Sequence, residues 1–126
     1  MTISPLVLAY IGDTVYETYV RGHLIRNFPH KRVNELHKLA ITYVKAKAQA
    51  DIIHVIESDL SEEELRIFKR GRNQKPHTFP KNGSIIDYKH ATGFEALVGY
   101  LYLAGRQDRL NEIISRGIEI IEATEE

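Results

Sequence analysis

Residues 8–17 read Leu8-Ala9-Tyr10-Ile11-Gly12-Asp13-Thr14-Val15-Tyr16-Glu17, an apolar run that encloses the carboxylate of Asp13. The run predicts a buried helix, in which an ionised carboxylate is costly unless a metal, hydrogen bonds or a counter-charge compensates it. Glu95 has a similar setting in the apolar stretch 91–100. Two acids on two apolar helices predict a metal site. The alternative is that each acid is a structural residue paired with a nearby Lys, Arg or Tyr, and spacing alone leaves both interpretations open.

Asp13 and Glu95 are therefore the candidate catalytic and metal-binding residues. Hard divalent cations such as Mg²⁺ take oxygen ligands and keep several waters, so one or two carboxylates in a shared cleft can suffice. Glu17 lies one helical turn beyond Asp13 and is a further candidate metal ligand or outer group. A cation held there can activate water and neutralise charge that develops on a phosphodiester.

The rest of the chain also has helical periodicity, and 126 residues make one domain, 1–126. Residues 6–27 predict a long helix that is apolar over most of its circumference, which favours a central position or a partner subunit. Helices are predicted over 33–44 and over 46–56, with a break near Lys45. A Ser61–Glu64 capping box starts another that runs to Gly71. A loop is predicted over 73–87, and two further apolar helices follow it. The expected fold class is all-α.

The 17 basic and 17 acidic residues cancel, but they are unevenly distributed. No acid lies between Leu65 and Ile86, whereas this segment holds six Lys and Arg residues. Lys, Arg and Asn suit the phosphates and 2′-hydroxyls through which A-form RNA is recognised. The candidate RNA-binding residues are Arg70, Arg72, Asn73, Lys75 and Lys81. The alternative is a solvated basic loop without a partner. The six histidines have no metal-ligand spacing, and we assign them no metal.

Composition also indicates in which cellular compartment the protein is expected. The chain has no cysteine, which excludes disulfides and thiolate zinc sites. No apolar run approaches the roughly 20 residues of a membrane span, and the start of the sequence lacks the charged residues of a signal peptide. We therefore expect a cytoplasmic protein that does not enter the membrane.

Three motifs, in order, resemble the ribonuclease III family. They are Ala9-Tyr10-Ile11-Gly12-Asp13, the basic stretch Lys69-Arg70-Gly71-Arg72-Asn73-Gln74-Lys75, and Ala91-Thr92-Gly93-Phe94-Glu95-Ala96-Leu97-Val98-Gly99. The last two are similar to the Mini-ribonuclease III branch, which consists of the nuclease domain alone. The resemblance covers nearly the whole chain.

This resemblance implies an all-helical homodimer that cleaves double-stranded RNA with Mg²⁺, each subunit cutting one strand. Family members process the ends of the 23S ribosomal RNA precursor. Asp13 and Glu95 match the family's metal-binding acids, and Tyr10 matches a residue that packs into the partner subunit. RNA contacts are then expected from this domain itself, since no separate RNA-binding domain is expected to follow. Whether a large-subunit ribosomal protein assists is left open.

The sequence departs from the larger relatives at three positions. Leu6, Ala9 and Thr92 stand where those proteins carry further acids, which leaves the number of metal ions open. Glu35 matches another family acid only with a shifted register, and we rank it below Glu17. Two other functions remain as alternatives. One is a non-catalytic RNA-binding or ribosome-assembly protein with this fold, and the other is a metal-dependent hydrolase of nucleotides.

Overall fold

The computed structural model describes residues 3–76 and 83–124, and these form six α-helices and no strand. The helices are α1 (Pro5–Asn27), α2 (Val33–Val44), α3 (Ala46–Ile56), α4 (Glu62–Arg72), α5 (Ile85–Leu103) and α6 (Gln107–Thr124), and a 3₁₀ turn (Glu57–Asp59) follows α3. The all-α prediction is confirmed. Within the described ranges, none of these helices combines the length and apolar character needed to span a membrane.

Local sequence signals set most helix ends. The Ser61 hydroxyl accepts a hydrogen bond from the Glu64 backbone N–H at 3.1 Å, and the Glu64 carboxylate accepts one from the Ser61 N–H at 2.9 Å. This is the predicted capping box. Lys45 has extended backbone angles (φ −61°, ψ 156°), which separates α2 from α3 at the predicted break. Pro29 follows the end of α1.

The predicted loop over 73–87 ends earlier than expected. Helix α5 begins at Ile85, because the Ser84 hydroxyl accepts hydrogen bonds from the backbone N–H groups of Ile86 and Asp87. A serine followed three residues later by an acid is a helix-start signal, and reading the segment by its Pro, Gly and Asn content overlooked it. Residues 85–87 are therefore helical, a correction to the prediction.

Helix α5 is the centre of the domain and packs against α1, α3, α4 and α6. Its side chains Phe94, Leu97, Val98 and Leu101 are fully buried. The close packing depends on glycine: a Cβ atom on Gly12 would lie 1.8 Å from the Glu95 carbonyl oxygen, and one on Gly99 would lie 1.9 Å from the Leu8 carbonyl oxygen. The backbones of α1 and α5 thus touch along two antiparallel turns, which a larger residue at either glycine would prevent.

A buried ion pair connects the start of α4 to α6. The Arg109 guanidinium donates to both carboxylate oxygens of Glu64 at 2.8 Å, and also to the Asp59 carbonyl oxygen at 3.1 Å. The Glu64 side chain is only 4% exposed. Hydrogen bonding from Arg109 is the main reason that the pKa of Glu64 lies below its ordinary value.

Candidate active site

Asp13 and Glu95 lie side by side, because Gly12 rests directly on the backbone of Glu95. Glu95 is partly buried on α5. Asp13 is exposed, which corrects the expectation of a buried carboxylate. The reason is geometric: Gly12 belongs to the face of α1 that meets α5, and the next residue is rotated to the edge of that face. The pair therefore has one partly buried and one solvent-facing carboxylate.

The electrostatics of the pair are unusual. Burial, and then the neighbouring charge of Asp13, raise the pKa of Glu95 to about 8, while a hydrogen bond from Gln49 acts in the opposite direction. A hydrogen bond between the Asp13 and Glu95 carboxyl groups also raises this pKa. Burial and a nearby like charge both disfavour the ionised carboxylate. Without a cation, the ionised form of Glu95 is therefore disfavoured.

The two acids differ from the ion-paired carboxylates elsewhere in the molecule. Within residues 3–76 and 83–124, neither Asp13 nor Glu95 takes part in an ion pair with a basic side chain. The alternative was that each acid pairs with a nearby Lys, Arg or Tyr, and these ion pairs include no Lys or Arg partner for either acid. Two adjacent carboxylates without a counter-charge among the described residues are a donor set that fits a hard divalent cation.

Gln49 completes the surroundings of Glu95, and the sequence interpretation missed it. Its Nε2 donates to Glu95 Oε2 at 3.1 Å and to the Val44 carbonyl oxygen at 2.8 Å. The residue is only 2% exposed. A signal was present in the sequence, since Gln49 precedes Ile52, Ile53 and Ile56 at core spacing on α3. A polar residue in such a stripe needs a buried partner.

The other acidic candidates lie elsewhere. The Glu17 carboxylate accepts a hydrogen bond from Arg21 at 2.9 Å, and the Glu35 carboxylate accepts one from the backbone N–H of Arg32 at 3.1 Å. In the part of the chain that the structure describes, no three His, Cys, Asp or Glu residues cluster as a metal site. Glu17 is therefore not brought together with Asp13 and Glu95, and Glu35 caps α2.

The predicted RNA-binding residues begin at the end of α4, where this helix packs against α5. Gly71 lies against α5, where an added Cβ would be 2.9 Å from Gly93 Cα and from Ala96 Cβ. This contact brings the flanking Arg70 and Arg72 to the turn of α5 that precedes Glu95. Arg70, Asn73 and Lys75 are exposed, and Arg72 is partly so. Lys81 lies outside the described residues.

A shallow cavity of about 190 Å³ adjoins this basic segment. It is lined by Arg72, Asn73, Ile86, Lys89 and His90. Lys89 and His90 lie beyond the predicted loop over 73–87 and were not among the predicted RNA-binding residues. Lys89 adds a positive charge on the α5 side of the same surface.

Tyr10 is the most exposed large apolar residue described, at 80%. Val7 lies one turn earlier on α1 and is 54% exposed. Because α1 and α5 run antiparallel, the exposed Tyr102 and Leu103 lie at the same end of this helix pair. The structure thus presents an apolar patch around the residue predicted to contact a partner subunit.

Comparisons with known proteins agree with this architecture. The "Ribonuclease III domain" family matches residues 6–106. The "Mini-ribonuclease 3" of Clostridium tetani is 51% identical over 120 residues, which is 95% of this chain and 80% of that protein. The "Mini-ribonuclease 3" of Brevibacillus brevis is 51% identical over 119 residues, 94% of this chain and 88% of that protein. The crystal structure of a Fusobacterium nucleatum protein superposes with a TM-score of 0.85 at 35% identity, covering 94% of this chain and 93% of that one.

Proposed function

Because the chain belongs to the ribonuclease III family and is an endoribonuclease of that type, we propose that it cuts double-stranded RNA with Mg²⁺ held by Asp13 and Glu95. The observation that carries this proposal is the pair itself. One carboxylate is partly buried, the other faces solvent, and no basic side chain among the described residues neutralises either. The family membership favours this function over both alternatives considered from the sequence.

A divalent cation suits the pair for an electrostatic reason. Burial, and then repulsion from Asp13, disfavour the ionised form of Glu95 and raise its pKa. A cation bound by both carboxylates would favour the ionised form of Glu95 and release its proton. When bound, the cation supplies activation of water and neutralisation of charge on the scissile phosphate. Glu17 stays outside this proposed site because its carboxylate pairs with Arg21.

We place the RNA over the exposed carboxylate of Asp13 and the adjacent basic segment. Arg70, Arg72, Asn73 and Lys75 offer donors to phosphates, and Lys89 extends this surface along α5. Phosphate contacts of this kind set register without reading sequence. The arrangement suits a duplex recognised by shape.

A homodimer is part of the same proposal. Tyr10 and Val7 leave apolar surface exposed at one end of the α1–α5 pair, and burying it against a second copy would remove it from water. A two-fold axis would then supply two acidic pairs, one for each strand of the duplex. We propose the 23S ribosomal RNA precursor as substrate from the resemblance to the Mini-ribonuclease III branch, and a cytoplasmic location from the composition of the sequence.

The decisive test is cleavage of long duplex RNA in Mg²⁺ compared with Ca²⁺, by the wild-type protein and by Asp13→Asn. We expect cutting in Mg²⁺, binding without cutting in Ca²⁺, and a loss of cleavage by orders of magnitude in the variant with little change in circular dichroism. Wild-type cleavage rates in Asp13→Asn would refute the proposed site. Binding without cleavage by the wild-type protein in Mg²⁺ would refute the proposed activity.

A further inference from the structure

Gln49 is a buried polar residue whose hydrogen bonds fix the orientation of its side chain. Both of its Nε2 hydrogens are used, one on Glu95 Oε2 at 3.1 Å and one on the Val44 carbonyl oxygen at 2.8 Å. An amide with both hydrogens engaged can neither rotate nor flip without losing a bond. The orientation of the Gln49 side chain is therefore fixed by its surroundings.

The Val44 carbonyl is a rigid anchor. It belongs to the last residue of α2, where helix carbonyls lack an intrahelical partner, and the extended backbone of Lys45 turns the chain into α3 immediately afterwards. Gln49 lies in the first turns of α3, and its backbone N–H bonds to the Lys45 carbonyl oxygen at 3.1 Å. One side chain thus links the end of α2, the start of α3 and the carboxylate on α5.

Besides the two hydrogens on Nε2, the Gln49 amide has one acceptor, its oxygen Oε1. This Oε1 is buried and forms no hydrogen bond within the described residues. Buried polar atoms are nearly always satisfied, by protein or by ordered water. Oε1 has almost no accessible surface, so water does not reach it while the side chain stays in this position. The two bonds donated by Nε2 are therefore the contacts through which Gln49 acts on the site.

We infer that Gln49 is a positioning residue, which fixes the Glu95 carboxylate for a bound cation through Nε2 and is itself held in place by the Val44 carbonyl oxygen. This inference rests on the proposed function, since it assumes that Asp13 and Glu95 hold the cation. It also bears on the missing acids at Leu6, Ala9 and Thr92. A neutral amide orients the Glu95 carboxylate without adding a third negative charge.

The test is Gln49→Met, which keeps the length of the side chain and removes both polar groups. Mn²⁺ binding, measured by calorimetry without RNA, should weaken about 10- to 100-fold, the usual effect of losing a group that orients a metal ligand. The kcat for duplex cleavage should fall by a similar factor and recover partly at high cation concentration, while KM for RNA changes little. Gln107→Met is the matched control, because that amide bonds to Tyr19 and Asn111, away from the site.

The outcomes separate this inference from the proposed function. If Asp13→Asn and Glu95→Gln bind Mn²⁺ as tightly as the wild type, the metal site itself is wrong. If they lose binding while Gln49→Met retains wild-type affinity and kcat, Gln49 merely joins the helices and the inference is overturned.

A measurement on the wild-type protein covers the case in which Gln49→Met fails to fold. The side-chain amide signals of Gln49 in a ¹⁵N correlation spectrum should shift on addition of Mg²⁺, and they should not shift in Asp13→Asn. If these amide signals do not shift when Mg²⁺ is added to the wild-type protein, the inference is also overturned.

Discussion

Replacing Glu95 by glutamine should stabilise the folded protein in alkaline, cation-free buffer while abolishing cleavage. In the native chain, burial and then the charge of Asp13 raise the pKa of the Glu95 carboxyl to about 8. A carboxyl with a raised pKa keeps its proton in the folded state after the unfolded chain has lost it. Its stabilising contribution is complete below the ordinary pKa and is lost as pH rises toward the folded value.

The magnitude follows from the two pKa values. The ordinary value is 4.5 and the folded value is about 8. Each unit of difference corresponds to about 1.4 kcal/mol, so the full effect at pH 9 is on the order of 5 kcal/mol. Linkage gives roughly 3 kcal/mol at pH 7 and under about 1 kcal/mol at pH 5. The amide of Glu95→Gln is neutral at every pH and retains an oxygen for the Gln49 donor, so it should avoid this loss.

The assay is urea denaturation in EDTA at pH 5, 7 and 9, at one protein concentration because the proposed dimer couples stability to concentration. Asp13→Asn is the matched control. It removes the charge that is the second cause of the raised pKa and leaves burial, so it should gain less stability, with a weaker pH dependence.

A pH-independent difference between Glu95→Gln and the wild type would refute this reasoning, as would a less stable variant at pH 9. Added Mg²⁺ provides an internal check. It should stabilise the wild-type protein more at pH 9 than at pH 5, and it should not stabilise Glu95→Gln to the same degree.

Three further predictions concern other parts of the molecule. Tyr10→Asp places a charge in the exposed apolar patch and should shift the protein toward monomer in sedimentation experiments; a wild-type protein that is monomeric at micromolar concentration would contradict the dimer. Alanine at Arg70, Arg72 or Lys75 should weaken duplex binding in Ca²⁺ and leave kcat nearly unchanged. The slope of log affinity against log salt should fall by about 0.9 per lost phosphate contact. Unaltered slopes in all three variants would mean that the loop is only solvated, and the RNA path would then be sought along the basic segment 21–47. Arg109→Ala leaves the buried Glu64 carboxylate without its ion-pair partner and should cost about 3 kcal/mol of unfolding free energy at pH 7. Because the pKa of Glu64 is lowered, this penalty should shrink as pH falls below the ordinary carboxyl range. A penalty that does not change with pH would show that lost packing dominates.

The sequence by itself determined the helices and the order of the motifs. Apolar periodicity and short-range chemistry set the ends, as at the Ser61–Glu64 capping box and the break at Lys45. These features depend on residues within one or two turns, so they can be read along the chain. The Ser84 start of α5 was equally local and was overlooked because Pro, Gly and Asn dominate the segment.

Tertiary structure alone decided how the acids meet and what surrounds them. The contact of Gly12 with the Glu95 backbone makes Asp13 and Glu95 neighbours and leaves Asp13 exposed, although its own sequence context predicts burial. Likewise, the sequence shows that Gln49 lies on the core face of α3, but not that its amide reaches both Val44 and Glu95. Periodicity defines which face of a helix is buried, whereas the partner on that face, the desolvation of a charge and its pKa depend on atoms that are distant in sequence.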